Sequence, residues 1–171
     1  MSTLYVDNLA EKSSNHGVKI PGHQVQTISA TYSTAGSTTS TSPTQAWSGA
    51  SITPKFSNSL IKVECNFYIM HRDYYDGYAQ LYRNGVATNV RKIIRNAAHT
   101  GVNFISGATR PIWYIPTWLW QFTESAGGTS QITYSLYCWT QDAGQTTWWN
   151  TAANNSQEVP TSTLILTEIA Q

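Results

Sequence analysis

Leu60-Ile61-Lys62-Val63-Glu64-Cys65-Asn66-Phe67-Tyr68-Ile69-Met70 is the stretch on which the fold turns. Ile61, Val63, Cys65, Phe67 and Ile69 alternate with Lys62, Glu64, Asn66 and Tyr68. A period of two sends these sets to opposite faces of a strand, whereas a helix would scatter the apolar ones round its axis. The same pattern returns downstream. Tyr78 to Arg83 places Ala79 and Leu81 inward, and Asn84-Gly85 supplies the two positive-φ positions of a type I′ hairpin turn. Val86 to Ile94 is the return strand. Gln131 to Thr140 alternates Ile132, Tyr134, Leu136 and Cys138 with Thr133, Ser135, Tyr137 and Trp139. Strand signals begin at Gln24, with Val25, Ile28 and Tyr32, and the chain closes on Leu164, Ile165, Leu166 and Ile169. Trp47, Ile52 and Phe56 return the chain to the core, with a turn near Thr53-Pro54.

Between these runs lie the breakers. Residues 33–43 are a low-complexity Ser/Thr stretch, expected to lie along a sheet edge as an irregular crossing segment. Pro111 and Pro116 argue against a central, fully paired strand in the aromatic run from Arg110 to Phe122. Ala126-Gly127-Gly128-Thr129 and Gln141-Asp142-Ala143-Gly144 are turns. About eight to ten short strands follow, and no long helical period breaks them, which fits an antiparallel jelly-roll β-sandwich over residues 24–171.

Composition agrees with an all-β class. The 171 residues suffice for one domain with its own core. Ser (18), Thr (23), Asn (11) and Gln (10) replace charge as the source of polarity, since only 11% of the chain is charged. A formal charge of +1 leaves no basic excess to hold a polyanion, and nucleic acid is not an expected partner. No apolar run of transmembrane length and no signal peptide are visible, so neither membrane insertion nor secretion is expected. Cys65 and Cys138 each sit in an alternating apolar run and read as small buried side chains.

Residues 1–23 are too short for a core of their own. Leu4, Val6 and Leu9 make them a docking arm for another subunit. A domain this aromatic and this weakly charged would expose large apolar patches as a monomer, and cyclic symmetry would bury patch and arm together. A homotrimer is therefore expected.

Three blocks carry a family resemblance. They are Leu4-Tyr5-Val6-Asp7-Asn8-Leu9 with the segment from Val18 to Gln26; the segment from Trp47 to Val63, with its strand, Thr53-Pro54 and Ser-rich turn; and the ending from Ser162 to Ile169. In this order they resemble a small module of tailed-bacteriophage fibre proteins. The resemblance implies a trimeric jelly roll of the tumour-necrosis-factor-like type on the virion surface, assembled in the host cytoplasm. The expected function is that of a structural protein, foremost a short tail fibre that contacts the host. A capsid decoration protein seated on the shell is the alternative, and a secreted lectin the third.

Chemistry offers less. His71-Arg72-Asp73 matches a fragment of a kinase loop without its companions, no Gly-x-Ser-x-Gly is present, and the His residues are scattered. Asp73 and Asp76 are the nearest thing to a carboxylate pair and read as turn residues. No catalytic role, cofactor or metal is expected. Binding is the stronger theme. Arg83, Arg91, Lys92, Arg95 and Arg110 occupy a stretch with no acidic residue between Asp76 and Glu124, which would suit an anionic glycan or an acidic capsid face. Trp148-Trp149 cannot both face one core, because neighbours on a strand point oppositely. With Tyr74, Tyr75, Asp76 and Tyr78 they form a candidate site for host surface glycan.

Overall fold

The computed structural model describes residues 20–72, 77–94, 117–150 and 160–171. Among the described residues ten strands follow in chain order: β1 (Gln24–Tyr32), β2 (Gly36–Thr38), β3 (Thr44–Ile52), β4 (Leu60–Arg72), β5 (Gly77–Arg83), β6 (Val86–Ile94), β7 (Thr117–Ser125), β8 (Ile132–Thr140), β9 (Thr146–Trp149) and β10 (Ser162–Ile169). Residues 1–19, with Leu4, Val6 and Leu9 of the segment that the sequence suggests as a docking arm, lie outside the described residues. The last residues of that segment, from Ile20 to His23, form a turn in which Gly22 N–H donates to the Ala170 carbonyl and Ala170 N–H to that of His23.

All pairing is antiparallel. One sheet runs β1-β10-β4, with β7 on the far edge of β4. The second runs β3-β8-β5-β6. The chain alternates between the two, so hardly any sheet neighbours are sequence neighbours; the β5–β6 hairpin is an exception. Its turn has φ of 49° at Asn84 and 78° at Gly85, the two positive values its sequence requires.

The long strand β4 organises the first sheet. Its first half pairs with β10 and its last four residues with β9. Tyr68 N–H donates to Ser162 Oγ, and the Tyr68 carbonyl accepts from Asn150 N–H. One residue's N–H and C=O point to the same edge of a strand, so β9 and β10 lie end to end along one edge of β4. The short β2 extends β9. The low-complexity segment is thus not wholly irregular: residues 36–38 find a partner in β9.

The two sheets face each other across an apolar core. Ile61, Val63, Cys65, Phe67 and Ile69 are buried, as alternation requires, with Leu164 and Leu166 of β10 and Trp120 of β7. The opposing sheet contributes Trp47, Ile52, Leu81, Tyr134, Leu136 and Cys138. Trp47 stacks on Tyr32 at 5.4 Å and meets Phe67 edge-on, and Phe67 meets Trp120 the same way at 5.2 Å. Both cysteines are free, and burial pushes both thiols far above their ordinary pKa, so they stay protonated and unreactive.

Two glutamates flank Ile61 in one cross-strand row, Glu168 on β10 and Glu124 on β7. Glu168 has no exposed surface. It accepts Lys55 N–H at 2.9 Å, Phe56 N–H at 3.1 Å, Ser59 Oγ–H at 2.7 Å and Gln26 Nε2–H at 2.7 Å. Burial alone would raise its pKa, but these donors outweigh it and hold the carboxyl below the ordinary glutamate value. Glu124 accepts the Tyr134 hydroxyl and the Arg83 guanidinium, tying the two sheets together. Burial, then the hydrogen bond to Glu124, raises the Tyr134 pKa.

Candidate functional site

The face of the β3-β8-β5-β6 sheet turned away from the core carries, among the described residues, two stacked aromatic pairs. On β5 the inward residues are Ala79 and Leu81, so Tyr78, Gln80 and Tyr82 face outward. On β8 the outward set is Thr133, Ser135, Tyr137 and Trp139. Register brings the sets together, with Tyr78 opposite Trp139 and Gln80 opposite Tyr137. Tyr78 and Trp139 stack at 5.3 Å, and Tyr82 and Tyr137 at 3.9 Å. Gln80 sits between the stacks, its amide donating to the Thr88 carbonyl. The three tyrosines are half-buried and Trp139 is buried.

Among the described residues that the sequence suggests for a glycan site, only Tyr78 belongs to this face. Tyr74, Tyr75 and Asp76 lie outside the described residues. Trp148 and Trp149 do point oppositely, Trp148 half-buried and Trp149 buried in the core. Trp149 is therefore core packing rather than a ligand platform. Gly36 lies against its indole so closely that an added Cβ would come within 2.6 Å of the ring.

The basic stretch also divides. Arg83 is committed: Nη1 donates to Glu124 at 3.2 Å and to the Ser125 carbonyl at 2.9 Å, and Nη2 to the Ala126 carbonyl at 2.6 Å. It clamps the β7–β8 turn to the other sheet and is not a free binding cation. Arg83→Ala is expected to lower stability by about 1–2 kcal/mol, read as a lower urea midpoint at unchanged slope. Arg91 lies opposite Gln80 and Lys92 opposite Ala79 on β6, while Arg95 and Arg110 lie outside the described residues.

A cleft of about 580 Å³ opens beside this clamp, lined by Val86, Ala87, Phe122 and Thr123 among others. Its two charges, Arg83 and Glu124, already satisfy each other. Glu124 and Glu168 share a row, but Glu168 is sealed and its oxygens are occupied, so no substrate reaches the pair. Among the described residues no group of three His, Cys, Asp or Glu could hold a metal ion.

Alternation alone assigns Tyr137 and Trp139 to the polar face of their strand, and it does not make them a site. The further step is the β5–β8 pairing, which joins segments more than fifty residues apart. Glu168 has a plainer signal. It continues the row Leu164, Leu166, and a carboxylate in a core row must find donors.

No family model matches this chain, and no curated protein matches it. Among solved structures it is similar to the crystal structure of dimeric latent PorU from Porphyromonas gingivalis, with a TM-score of 0.42 and 8% identity over 94% of this chain. The chain spans 14% of the length of that structure.

Proposed function

We propose that this chain is a non-enzymatic structural protein of a tailed-phage virion, a homotrimeric jelly roll that serves as a short host-binding fibre. The observation that carries the reading is where the three family-like blocks meet. Gln26 of the first, Lys55, Phe56 and Ser59 of the second, and Glu168 of the third converge on a single buried carboxylate. Segments up to 142 residues apart thus behave as one unit. The strand orders β1-β10-β4-β7 and β3-β8-β5-β6, with the chain alternating between sheets, support the jelly-roll topology. The trimer rests on the aromatic, weakly charged composition.

Antibody labelling of purified virions, imaged by electron microscopy, tests the placement. Label at the tail is the expected result. Label spread over the head would make the chain a decoration protein instead, and unlabelled virions would overturn the virion assignment. Light scattering of the purified chain should give three times 19.0 kDa, and a monomer mass would refute the trimer.

A further inference from the structure

Asn84-Gly85 closes the β5–β6 hairpin, and the pair carries chemistry as well as conformation. Of the 11 asparagines, Asn84 is the one followed by glycine. A glycine N–H has no Cβ to shield it, so it is the backbone nitrogen best able to attack a preceding Asn side chain. Both residues are exposed, so water reaches them in the folded protein. Burial gives the pair no protection, and conformation decides its reactivity.

The reaction is a ring closure. Gly85 N bonds to Asn84 Cγ, the Cγ–Nδ2 bond breaks, and Nδ2 leaves as ammonia with the proton of Gly85 N–H. Water then adds across one of the two imide C–N bonds. The product is aspartate or, with the main chain rerouted through Cβ, isoaspartate. Closure needs Gly85 N on the Cβ side of the Asn84 Cα–C bond. In the type I′ turn that φ values of 49° and 78° specify, ψ of the first residue is about +30°, which turns that nitrogen about 150° away from Cβ. Two bonds hold it there. Asn84 N–H donates to the Thr133 carbonyl and Thr133 N–H to Asn84 Oδ1, each at 2.8 Å. The second bond draws electron density from the side-chain carbonyl and favours attack, but the attacking nitrogen points the other way, so geometry wins. Reaching the ring means breaking both Thr133 bonds and parting Arg83 from Val86.

We infer that Asn84 is a latent modification site, which the closed hairpin protects and which converts to aspartate and isoaspartate when the turn opens. The two products differ in what they allow. Aspartate keeps an acceptor for Thr133 N–H and tolerates a positive φ. Isoaspartate adds a methylene to the main chain of a two-residue turn, so Arg83 and Val86 no longer meet in register. The site rests on the hairpin alone, and the virion reading stands or falls separately.

The test is incubation of the full-length protein in mildly alkaline heavy-oxygen water, folded and in denaturing urea, then digestion in ordinary water and mass spectrometry. Heavy oxygen marks the conversions that occur during incubation. Asn84 is expected to convert first among the asparagines of the unfolded chain, mostly to isoaspartate. In the folded protein it should convert at least tenfold more slowly, with the rate rising in urea below the unfolding transition. G85A should slow conversion in the unfolded chain tenfold or more, since a Cβ then flanks the attacking nitrogen. N84D should melt within about 2 °C of the parent, and a larger fall would overturn the difference drawn between the products. Equal rates in folded and unfolded protein overturn the inference, as does a faster folded rate. Another asparagine converting first places the site elsewhere and overturns it. Aspartate without isoaspartate would mean direct hydrolysis rather than ring closure and would overturn it too.

Discussion

Glu168→Ala is expected to lower the stability of the fold by about 3–5 kcal/mol, the range for removing one partner from a buried charged network. The substitution strands two backbone N–H groups, of Lys55 and Phe56, the Ser59 hydroxyl and the Gln26 amide. At about 2–4 °C per kcal/mol for a domain of this size, the melting temperature should fall by roughly 6–20 °C. Glu168→Gln keeps the shape but turns an NH₂ towards groups that themselves donate, and a loss of about 2 kcal/mol is expected. The pH dependence has a definite sign. The folded-state pKa of Glu168 lies below its ordinary value, so the unfolded chain takes up the proton more readily. The stabilisation is complete above the ordinary glutamate range and is lost as pH falls through the lowered folded value. Urea midpoints measured from neutral pH into the acid range should show this decline in the parent and a flatter profile in Glu168→Gln. Equal slopes in the two proteins would mean that Glu168 is not the titrating group.

Gly49→Ala should be comparably severe, for a different reason. Gly49 lies where the β3–β8 register shifts between Trp47 and Ala50, with φ of 75°. A Cβ there would stand 1.5 Å from the Tyr134 carbonyl oxygen. Backbone on both sides of the contact prevents a cheap escape, and β3 would have to move off β8. The left-handed conformation costs about 1–2 kcal/mol and overpacking about 1–3 more, giving roughly 2–5 kcal/mol in all. Gly85→Ala is the internal control. Its φ is 78°, but nothing lies within 4 Å of an added Cβ. It should lose only the conformational part, about 1–2 kcal/mol. Chemical denaturation of the pair separates strain from collision, and equal losses would show that the β3–β8 contact yields.

Local periodicity makes most strands legible in the amino-acid sequence alone. β4, β5, β6 and β8 are where alternation places them. What periodicity does not encode is the partner of each strand. An alternating strand specifies which side chains face inward, but any apolar face would satisfy it. That is why alternation assigns Tyr137 and Trp139 to an outward face yet says nothing of their stacking with Tyr82 and Tyr78. Composition misleads in one place. The Ser/Thr-rich segment carries too little apolar surface to announce a strand, and β2 forms because β9 offers it an edge. Trp149 shows a second limit: two adjacent tryptophans read alike in sequence, and it is burial in the folded sandwich that makes Trp149 the core residue.

The end-to-end arrangement of β9 and β10 along β4 bears on how this scaffold tolerates change. The chain leaves the edge of β4 at Asn150 and rejoins it at Ser162, and the two side chains are bonded to each other, Ser162 Oγ–H to Asn150 Oδ1. Asn150 also donates to the Tyr32 and Thr34 carbonyls, so the departure point is anchored on two sides. The ends of the connecting segment are thus pinned side by side, whatever lies between them. Under that condition lengthening is nearly free: doubling a loop adds only about 0.6 kcal/mol of closure entropy. New sequence can enter between these residues without shifting the register of any strand. The gap in the edge of β4 is a natural graft point, where an engineer can insert sequence while the sandwich beneath keeps its own stability.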